Sequence, residues 1–484
     1  LLDVTAFLSN PAMALVVAGV LGMSPAGPSG TALTVSDALA RPSVSIESGP
    51  VNAGAFSGAE MGSPDGVPEP FIGPDPVGGG SSFESTARLG GVALLEQLSR
   101  LSASELSDFV EAYPTALDEL TTSPPLASTV AGWWASTTVM SRTTLADDIP
   151  GVIGNLEGLP YTVRDVANRA FLAATARDIH SQLDAGVGRA MQDELEARLE
   201  MLASVERSLV RGASGEPRTL ITLDVTGEGR AVVGIGSLAD ADYVTFFIPG
   251  MYVGVTQQIV DWTGNAETAL IEQQAWLDRL HQPGLQQPGL QQPGLNQSSR
   301  VATVAWIGYH TPTLVNIAGM DLAYEGRDAL TRSLQGLDAV SASDPFVSIV
   351  AHSYGSTAAM LALEENDVSV DALIMVGSPG SPATSVDDLK VTDGNVWVAA
   401  SDSDPIPRSG VFGSQPLDAD FGAHRFSVHA MTDPLTGAQL TDITGHVYYF
   451  WPGTTSVRNT ALIAIDQGAL VSTDDVVSRA SAAR

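Results

Sequence analysis

The chain has 484 residues, 44% of them apolar and only 16% charged, with no cysteine and a formal charge of −32. Without cysteine there are no disulfides, no thiolate catalysis and no cysteine-ligated zinc. The acidic excess argues against a nucleic-acid partner and against an anionic membrane surface, both of which need basic patches. Lys390 is the only lysine, which reads as genomic base composition rather than chemistry. The length exceeds one ordinary domain and leaves room for a large core.

The apolar run from Ala12 to Met23 is too short for a standard transmembrane helix, so no integral membrane span is expected. It has the length of a signal-peptide core, and Ala38-Leu-Ala40 has the form of a cleavage site, but no Lys or Arg precedes it. A short buried helix is the competing reading, and the sequence assigns no compartment. Residues 24–87 are rich in Gly, Pro, Ser and Ala, with Gly-Pro-Asp-Pro-Val-Gly-Gly-Gly at 73–80. Such a stretch buries too little apolar surface to order itself, so residues 1–87 are expected to form a disordered or extended arm with one short apolar segment.

Helical periodicity begins near Thr86. Ser102-Ala-Ser-Glu105 is a capping box ahead of Leu106, Phe109 and Val110. Pro124-Pro125 interrupts the pattern, Trp133-Trp134 and Met140 fall on a further helix, and Asp165 to about Val210 is helical with a turn at Gly186 and Gly188. Residues 88–210 therefore read as a helical segment.

The period then changes. Thr219–Val225 and Arg230–Ile235 flank Thr226-Gly-Glu-Gly229 as a hairpin. Strands follow at Val244–Ile248, Val301–Gly308, Phe346–His352, Ala372–Val376 and Val396–Ala400, with a helix over about 320–338 among them. This alternation predicts an α/β fold over 211–484, with a mostly parallel sheet, an N-terminal hairpin and helices on both faces. The repeat Gln-Pro-Gly-Leu at 282–296, with period five, is too short for a solenoid unit and reads as an exposed loop inserted between a helix and a strand.

Phe346-Val-Ser-Ile-Val-Ala-His-Ser-Tyr-Gly355 carries the chemistry. A β-branched run ends at a serine and a small-residue helical pattern follows, which is the strand–nucleophile–helix elbow of serine hydrolases with the hydroxyl of Ser353 pushed into the open. The elbow needs small residues two before and two after the serine. Here they are Ala351 and Gly355, so the pattern departs from Gly-x-Ser-x-Gly only at its first position.

A serine hydroxyl needs a base, a carboxylate to orient that base, and donors for the oxyanion. In this architecture the chain order is Ser, acid, His. Val396-Trp-Val-Ala-Ala-Ser-Asp-Ser-Asp-Pro-Ile-Pro407 offers the acid. Asp404 is favoured over Asp402 because Pro-Ile-Pro is expected to hold the loop stiff and extended; the alternative is that both are loop aspartates capping backbone amides. For the base, His446 is favoured over His424 and His429. It follows a turn glycine, precedes an aromatic cluster and is followed by a closing helix over Val457–Ala469. His429 sits in Phe426-Ser-Val-His429, which looks like a strand and suits a structural histidine, and His352 packs or braces the elbow. The oxyanion donors are expected to be the backbone N–H groups of Tyr354 and of Met251, the latter in Phe246-Phe-Ile-Pro-Gly-Met251.

These residues resemble an actinobacterial α/β-hydrolase family long catalogued as a domain of unknown function. The shared motifs are His352-Ser-Tyr-Gly-Ser356, Ile248-Pro-Gly250, Gly377-Ser-Pro-Gly380, the acid site at Asp404 and the late His446 with a nearby Tyr. Ile153-Gly-Asn-Leu-Glu-Gly-Leu-Pro160 and Arg164-Asp-Val-Ala-Asn-Arg169 look like that family's lead-in, so the resemblance spans about 130–470. It implies a serine hydrolase distantly similar to esterases and cutinase-like enzymes, and names no substrate. The departures are Ala351 and the Gln-Pro-Gly-Leu insertion.

The expected activity is hydrolysis of a carboxylic ester or related acyl compound through an acyl-enzyme on Ser353. The competing readings are a non-catalytic scaffold serving as an envelope interaction module, favoured by a buried Ser353 or a distant His446, and an acyltransferase with the same triad. No cofactor or metal is called for. Gly234-Ile-Gly236-Ser-Leu-Ala239 closes a hairpin strand rather than opening a helix, and Val391-Thr-Asp-Gly-Asn395 lacks the spaced ligands of a calcium loop.

Overall fold

The structure is a computed structural model that describes residues 80–282 and 299–474. The apolar run at 12–23, most of the proposed arm and nearly all of the Gln-Pro-Gly-Leu insertion lie outside the described residues.

Helices fill the chain from Gly80–Ala87 through Pro150–Ile153. The first one starts at Gly80, inside the stretch expected to be an extended arm, because Phe83 packs edge-on against Phe109 at 5.7 Å and so gives the segment a core to join. The capping box forms as read: the Ser102 N–H donates to Glu105 Oε2 at 2.9 Å, and the Glu105 N–H donates to Ser102 Oγ. Leu94, Leu98, Phe109, Trp133, Leu145 and Leu156 close a core of their own here. Two long helices follow, α1 (Tyr161–Ala185) and α2 (Arg189–Ser208), separated at Gly186 and Gly188.

An eight-stranded sheet then forms from β1 (Arg218–Asp224), β2 (Arg230–Ile235), β3 (Tyr243–Ile248), β4 (Val301–Ile307), β5 (Phe346–His352), β6 (Ala372–Val376), β7 (Val396–Ala399) and β8 (His424–Arg425). Its order is β1-β2-β4-β3-β5-β6-β7-β8. The β1–β2 and β2–β4 pairs are antiparallel and all others parallel. The crossovers are α3 (Val255–Leu280), α4 (Asp321–Val340) and α5 (Tyr354–Glu365), and α6 (Thr455–Ala464) closes the fold. This is the α/β-hydrolase fold, as the sequence predicts.

Strand periodicity divides the core. Val244, Phe246 and Ile248 of β3 face α4 and α5, whereas Tyr243 and Phe247 face α3 and α6. Ile179 of α1 and Leu195, Leu202 and Val205 of α2 join the second of these layers, so the long helices pack onto the sheet that bears the site.

Three local expectations need correction. Phe426–His429, which looks like a strand, is not one: the edge strand of the large sheet is His424–Arg425, whose pairing with Trp397 and Val398 stops where Phe426 and Val428 turn into the core, and Met431–Thr432 pairs separately with Gln439–Leu440. The closing helix runs Thr455–Ala464, capped by the Thr454 hydroxyl, and ends before Asp466, which has a positive φ of 58°. The loop after Asp404 is not extended: Ile406–Arg408 is a 3-10 turn, because the Ile406 N–H folds back onto Asp404 Oδ1 at 3.0 Å.

Candidate active site

Every residue of β5 from Ser348 to His352 is buried, and the strand delivers the chain to Ser353 with φ 55° and ψ −132°. That conformation is sparsely populated for a residue with a Cβ and costs on the order of 1–3 kcal/mol, so it persists only where the surroundings enforce it. Here the Ser353 N–H donates to the Val376 carbonyl at 3.0 Å, and the Ser356 hydroxyl donates to the Ser353 carbonyl at 2.6 Å. Close approach explains the small neighbours. A Cβ on Gly355 would stand 2.3 Å from the Pro249 carbonyl oxygen, and one on Gly250 would stand 2.5 Å from the Ser353 Cβ. Ala351 is tolerated in the strand, fully buried, in register with Ile248 and Met375.

The turn glycine Gly445, with φ 74°, precedes His446, and its N–H donates to Ser403 Oγ at 2.7 Å. His446 Nε2 lies 2.7 Å from Ser353 Oγ, and its Nδ1 lies 2.9 Å from Asp404 Oδ2. A carboxylate only accepts, so Nδ1 carries the ring proton and Nε2 is left to accept from the serine hydroxyl. Asp404 is fully buried. Its Oδ2 also accepts from the Tyr449 hydroxyl at 2.7 Å, and that hydroxyl in turn accepts from the Ser401 N–H at 3.0 Å. Burial and the adjacent carboxylate push the Tyr449 phenol well above its ordinary range, so it stays a donor. Gly377, φ 66°, leaves the room this pair needs: a Cβ there would come within 2.9 Å of His446 Cε1 and 3.1 Å of Asp404 Oδ2.

The alternatives sit elsewhere. Asp402 is 82% exposed. His429 is not a buried structural histidine but a half-exposed one, 3.8 Å from both Asp402 and Asp474. His424 packs its ring on Trp397 at the sheet edge.

In the sequence His352 reads as a brace, and Tyr309 carries no signal. His352 Nε2–H donates to the His446 carbonyl at 2.7 Å, with the two rings 4.7 Å apart. Burial, and then repulsion from His446, lowers its pKa to about 3, so it is neutral. Tyr309 is buried and donates its hydroxyl to the Pro249 carbonyl at 2.7 Å, fixing the segment that leads into Gly250 and Met251. Tyr354 stands at the first position of α5, where its N–H has no partner within the helix. Its hydroxyl donates to the Gly319 carbonyl and accepts from the Ala323 N–H, and burial pushes it up to about 12.

One expectation fails in detail. Ser353 is not pushed into the open: it is only 5% exposed, and His446 is buried beside it. Gly250 lies directly over the serine, and Phe412 packs edge-on against the neighbouring Tyr354 ring at 5.3 Å.

Residues 224–413 match an alpha/beta hydrolase family. The matched span contains Ser353 and Asp404 and ends before His446. Among curated proteins, an uncharacterized protein of Mycobacterium tuberculosis is 25% identical over 400 residues, which are 73% of this chain and 58% of that protein. This chain thus spans well under two thirds of that relative. An uncharacterized protein of Mycobacterium bovis is 29% identical over 240 residues, 47% of this chain and 84% of its own. Among solved structures, an esterase of Pyrobaculum calidifontis aligns with 58% of this chain and 94% of its own at 11% identity and a TM-score of 0.32. A carboxyl esterase of Tuber melanosporum aligns with 50% of this chain and 82% of its own at 12% identity and a TM-score of 0.26. Among the described residues, no three His, Asp or Glu side chains are grouped to hold a metal ion, and no helix is long and apolar enough to cross a membrane.

Proposed function

We propose that this protein is a serine hydrolase that cleaves a carboxylic ester through an acyl-enzyme on Ser353. The observation that carries the reading is the unbroken chain from Ser353 Oγ through His446 to Asp404, at 2.7 and 2.9 Å. Ser353 attacks the ester carbonyl while His446 Nε2 takes its proton. Asp404 holds the imidazole in the required tautomer and balances the imidazolium that forms. The backbone N–H groups of Tyr354 and Met251 receive the oxyanion. Collapse of the tetrahedral species expels the alcohol, which takes the proton from His446. Water, deprotonated by the same nitrogen, then releases the acid and restores the serine. In this reading the catalytic domain is 211–484, and the 88–210 helices brace it.

The test is hydrolysis of p-nitrophenyl esters of graded acyl length. Wild-type protein turns over at least the short esters, and Ser353→Ala lowers kcat by about 10⁴-fold or more. Equal rates for the two proteins would remove Ser353 from the reaction.

The near-complete burial of Ser353 favours a second reading, in which the fold serves as a non-catalytic scaffold. The same ester series separates the two, since a scaffold gives no rate above the alanine variant.

A further inference from the structure

A cleft of about 510 Å³ lies between α2 of the helical segment and the loops that follow β3 and β4, and Tyr252 in its wall is two residues from Gly250, which lies over Ser353. Its wall includes Glu194 and Arg198 from α2, Glu228 from the β1–β2 turn, Tyr252 from the loop after β3, and Thr311 and Thr313 from the loop after β4. Tyr252 directly follows Met251, and Gly250 touches Ser353, so the cleft is continuous along the chain with the segment lying on the serine.

Tyr252 is held in an unusual state. It has φ 62°, a left-handed conformation that a bulky aromatic residue adopts only at a cost. Two bonds to the loop after β4 fix it: its N–H donates to the Pro312 carbonyl at 3.0 Å, and its hydroxyl accepts from the Leu314 N–H at 3.1 Å. The strain sets a 40% exposed aromatic side chain into the cleft wall one residue from an expected oxyanion donor.

The chemistry of the wall selects its occupant. Glu194 and Arg198 pair at 2.9 Å, which leaves further guanidinium donors and carboxylate lone pairs to the cleft. Thr311, nine-tenths buried, adds a hydroxyl that both donates and accepts, and Thr313, whose hydroxyl donates to Asn316 Oδ1 at 3.3 Å, adds acceptor lone pairs. An alkyl chain would cover Ala197, Met201 and Tyr252, which also line the cleft, but would leave these polar groups unsatisfied and would desolvate the charged ones. Two carboxylates against one guanidinium disfavour an anionic group such as phosphate. A neutral group bearing many hydroxyls matches both signs, since each hydroxyl donates to Glu and accepts from Arg, while its C–H face packs on Tyr252.

We infer that this cleft binds the alcohol portion of the substrate and that this portion is polyhydroxylated, a sugar or comparable polyol. The helical segment then sets leaving-group specificity through α2. The inference rests on the reading of Ser353 as the nucleophile, and the test keeps the two apart.

Two esters differing only in the alcohol are compared: glucose butanoate, esterified at the primary hydroxyl, and ethyl butanoate. The expected result is a preference of about tenfold or more in kcat/KM for the sugar ester, because a site built to hydrogen-bond hydroxyls discriminates against an alcohol that lacks them. Ala197, exposed on α2 in the cleft wall, is replaced in Ala197→Trp, which fills the cleft from the solvent side. The preference should then disappear. Equal kcat/KM values in the wild type, or a preference that survives Ala197→Trp, would overturn the inference.

Binding is read independently by calorimetry with the non-hydrolysable butyl ether of glucose. Saturable binding to Ser353→Ala is expected, and its loss in the double variant Ser353→Ala, Ala197→Trp. No binding to Ser353→Ala would overturn the cleft assignment whatever the hydrolysis assays give. Binding by a wild type that hydrolyses neither ester would uphold the cleft and overturn the nucleophile.

Discussion

His352 and His446 are joined side chain to backbone: the Nε2–H of the residue before the elbow serine donates to the carbonyl of the histidine that faces that serine, at 2.7 Å. The bond ties the His446 loop to the end of β5, so Ser353 and His446 are positioned from a common point. Removing it while keeping an aromatic ring, as in His352→Phe, should lower kcat between about 10- and 100-fold with little change in KM, the scale expected for a small misplacement of a catalytic group. Steady-state kinetics on a short p-nitrophenyl ester gives the answer. An unchanged kcat would mean that His446 needs no such tether.

The same residue predicts a pH dependence of stability. Its ordinary value is about 6.5, and burial lowers it to about 3 in the folded protein. Between those values the unfolded chain binds a proton that the folded protein refuses, so stability falls as pH drops through that window and is fully present above it. The difference in Tm between wild type and His352→Phe should therefore narrow from pH 7 to pH 4. His310 has the opposite sign. The Glu325 carboxylate hydrogen-bonded at 2.8 Å raises it, so its contribution is present in acid and lost as pH rises through its folded value. With a third of each side chain exposed, that contribution stays below about 1 kcal/mol. Thermal melts of His310→Gln should show a deficit at pH 5.5 that is gone at pH 9.

Asp404 and Tyr449 should separate orientation from support. Asp404→Asn keeps a side chain of the same shape but presents the wrong partner to Nδ1, and kcat should fall by about 10⁴-fold. Tyr449→Phe removes one of the donors to Asp404 Oδ2 and the acceptor for the Ser401 N–H. It should cost about 1–3 kcal/mol of stability and lower kcat far less than the asparagine variant does. A Tyr449→Phe loss as large as that of Asp404→Asn would place the phenol in the reaction itself.

The two small residues of the elbow are not equivalent. Gly355→Ala puts a methyl group 2.3 Å from the Pro249 carbonyl, a backbone atom that cannot swing away, and should destabilise the protein by about 1–3 kcal/mol or more and disable the elbow. Ala351→Gly restores the more familiar pattern. It should cost about 1 kcal/mol from added backbone freedom in a strand and retain ester turnover. Denaturant unfolding and ester assays on both variants check this.

How much of this was legible in the sequence varied with the range of the forces involved. β5 was readable at Phe346–His352 because a buried parallel strand is a continuous apolar run with a sharp end. Asp404 and His446 could be ranked because chain order and local turn residues restrict where an acid and a base can enter, and the structure brings both to Ser353. The two-residue strand at His424–Arg425 carries no alternation long enough to detect, whereas Phe426-Ser-Val-His429 alternates like a strand because Phe426 and Val428 enter the core. The turn at Ile406–Arg408 was missed because Asp404 uses its second oxygen as a local acceptor, a choice invisible in Pro-Ile-Pro alone. The burial of Ser353, the His352 tether and the Tyr309 clamp on Pro249 join residues dozens of positions apart, and no periodicity encodes them.

The central claim is that Ser353 is a nucleophile activated by His446. A fluorophosphonate probe followed by intact and peptide mass spectrometry tests it most directly. The expected result is one adduct per chain, on the peptide containing Ser353, absent in Ser353→Ala and strongly slowed in His446→Ala. No adduct on the wild-type protein, or an adduct that persists in Ser353→Ala, would contradict it.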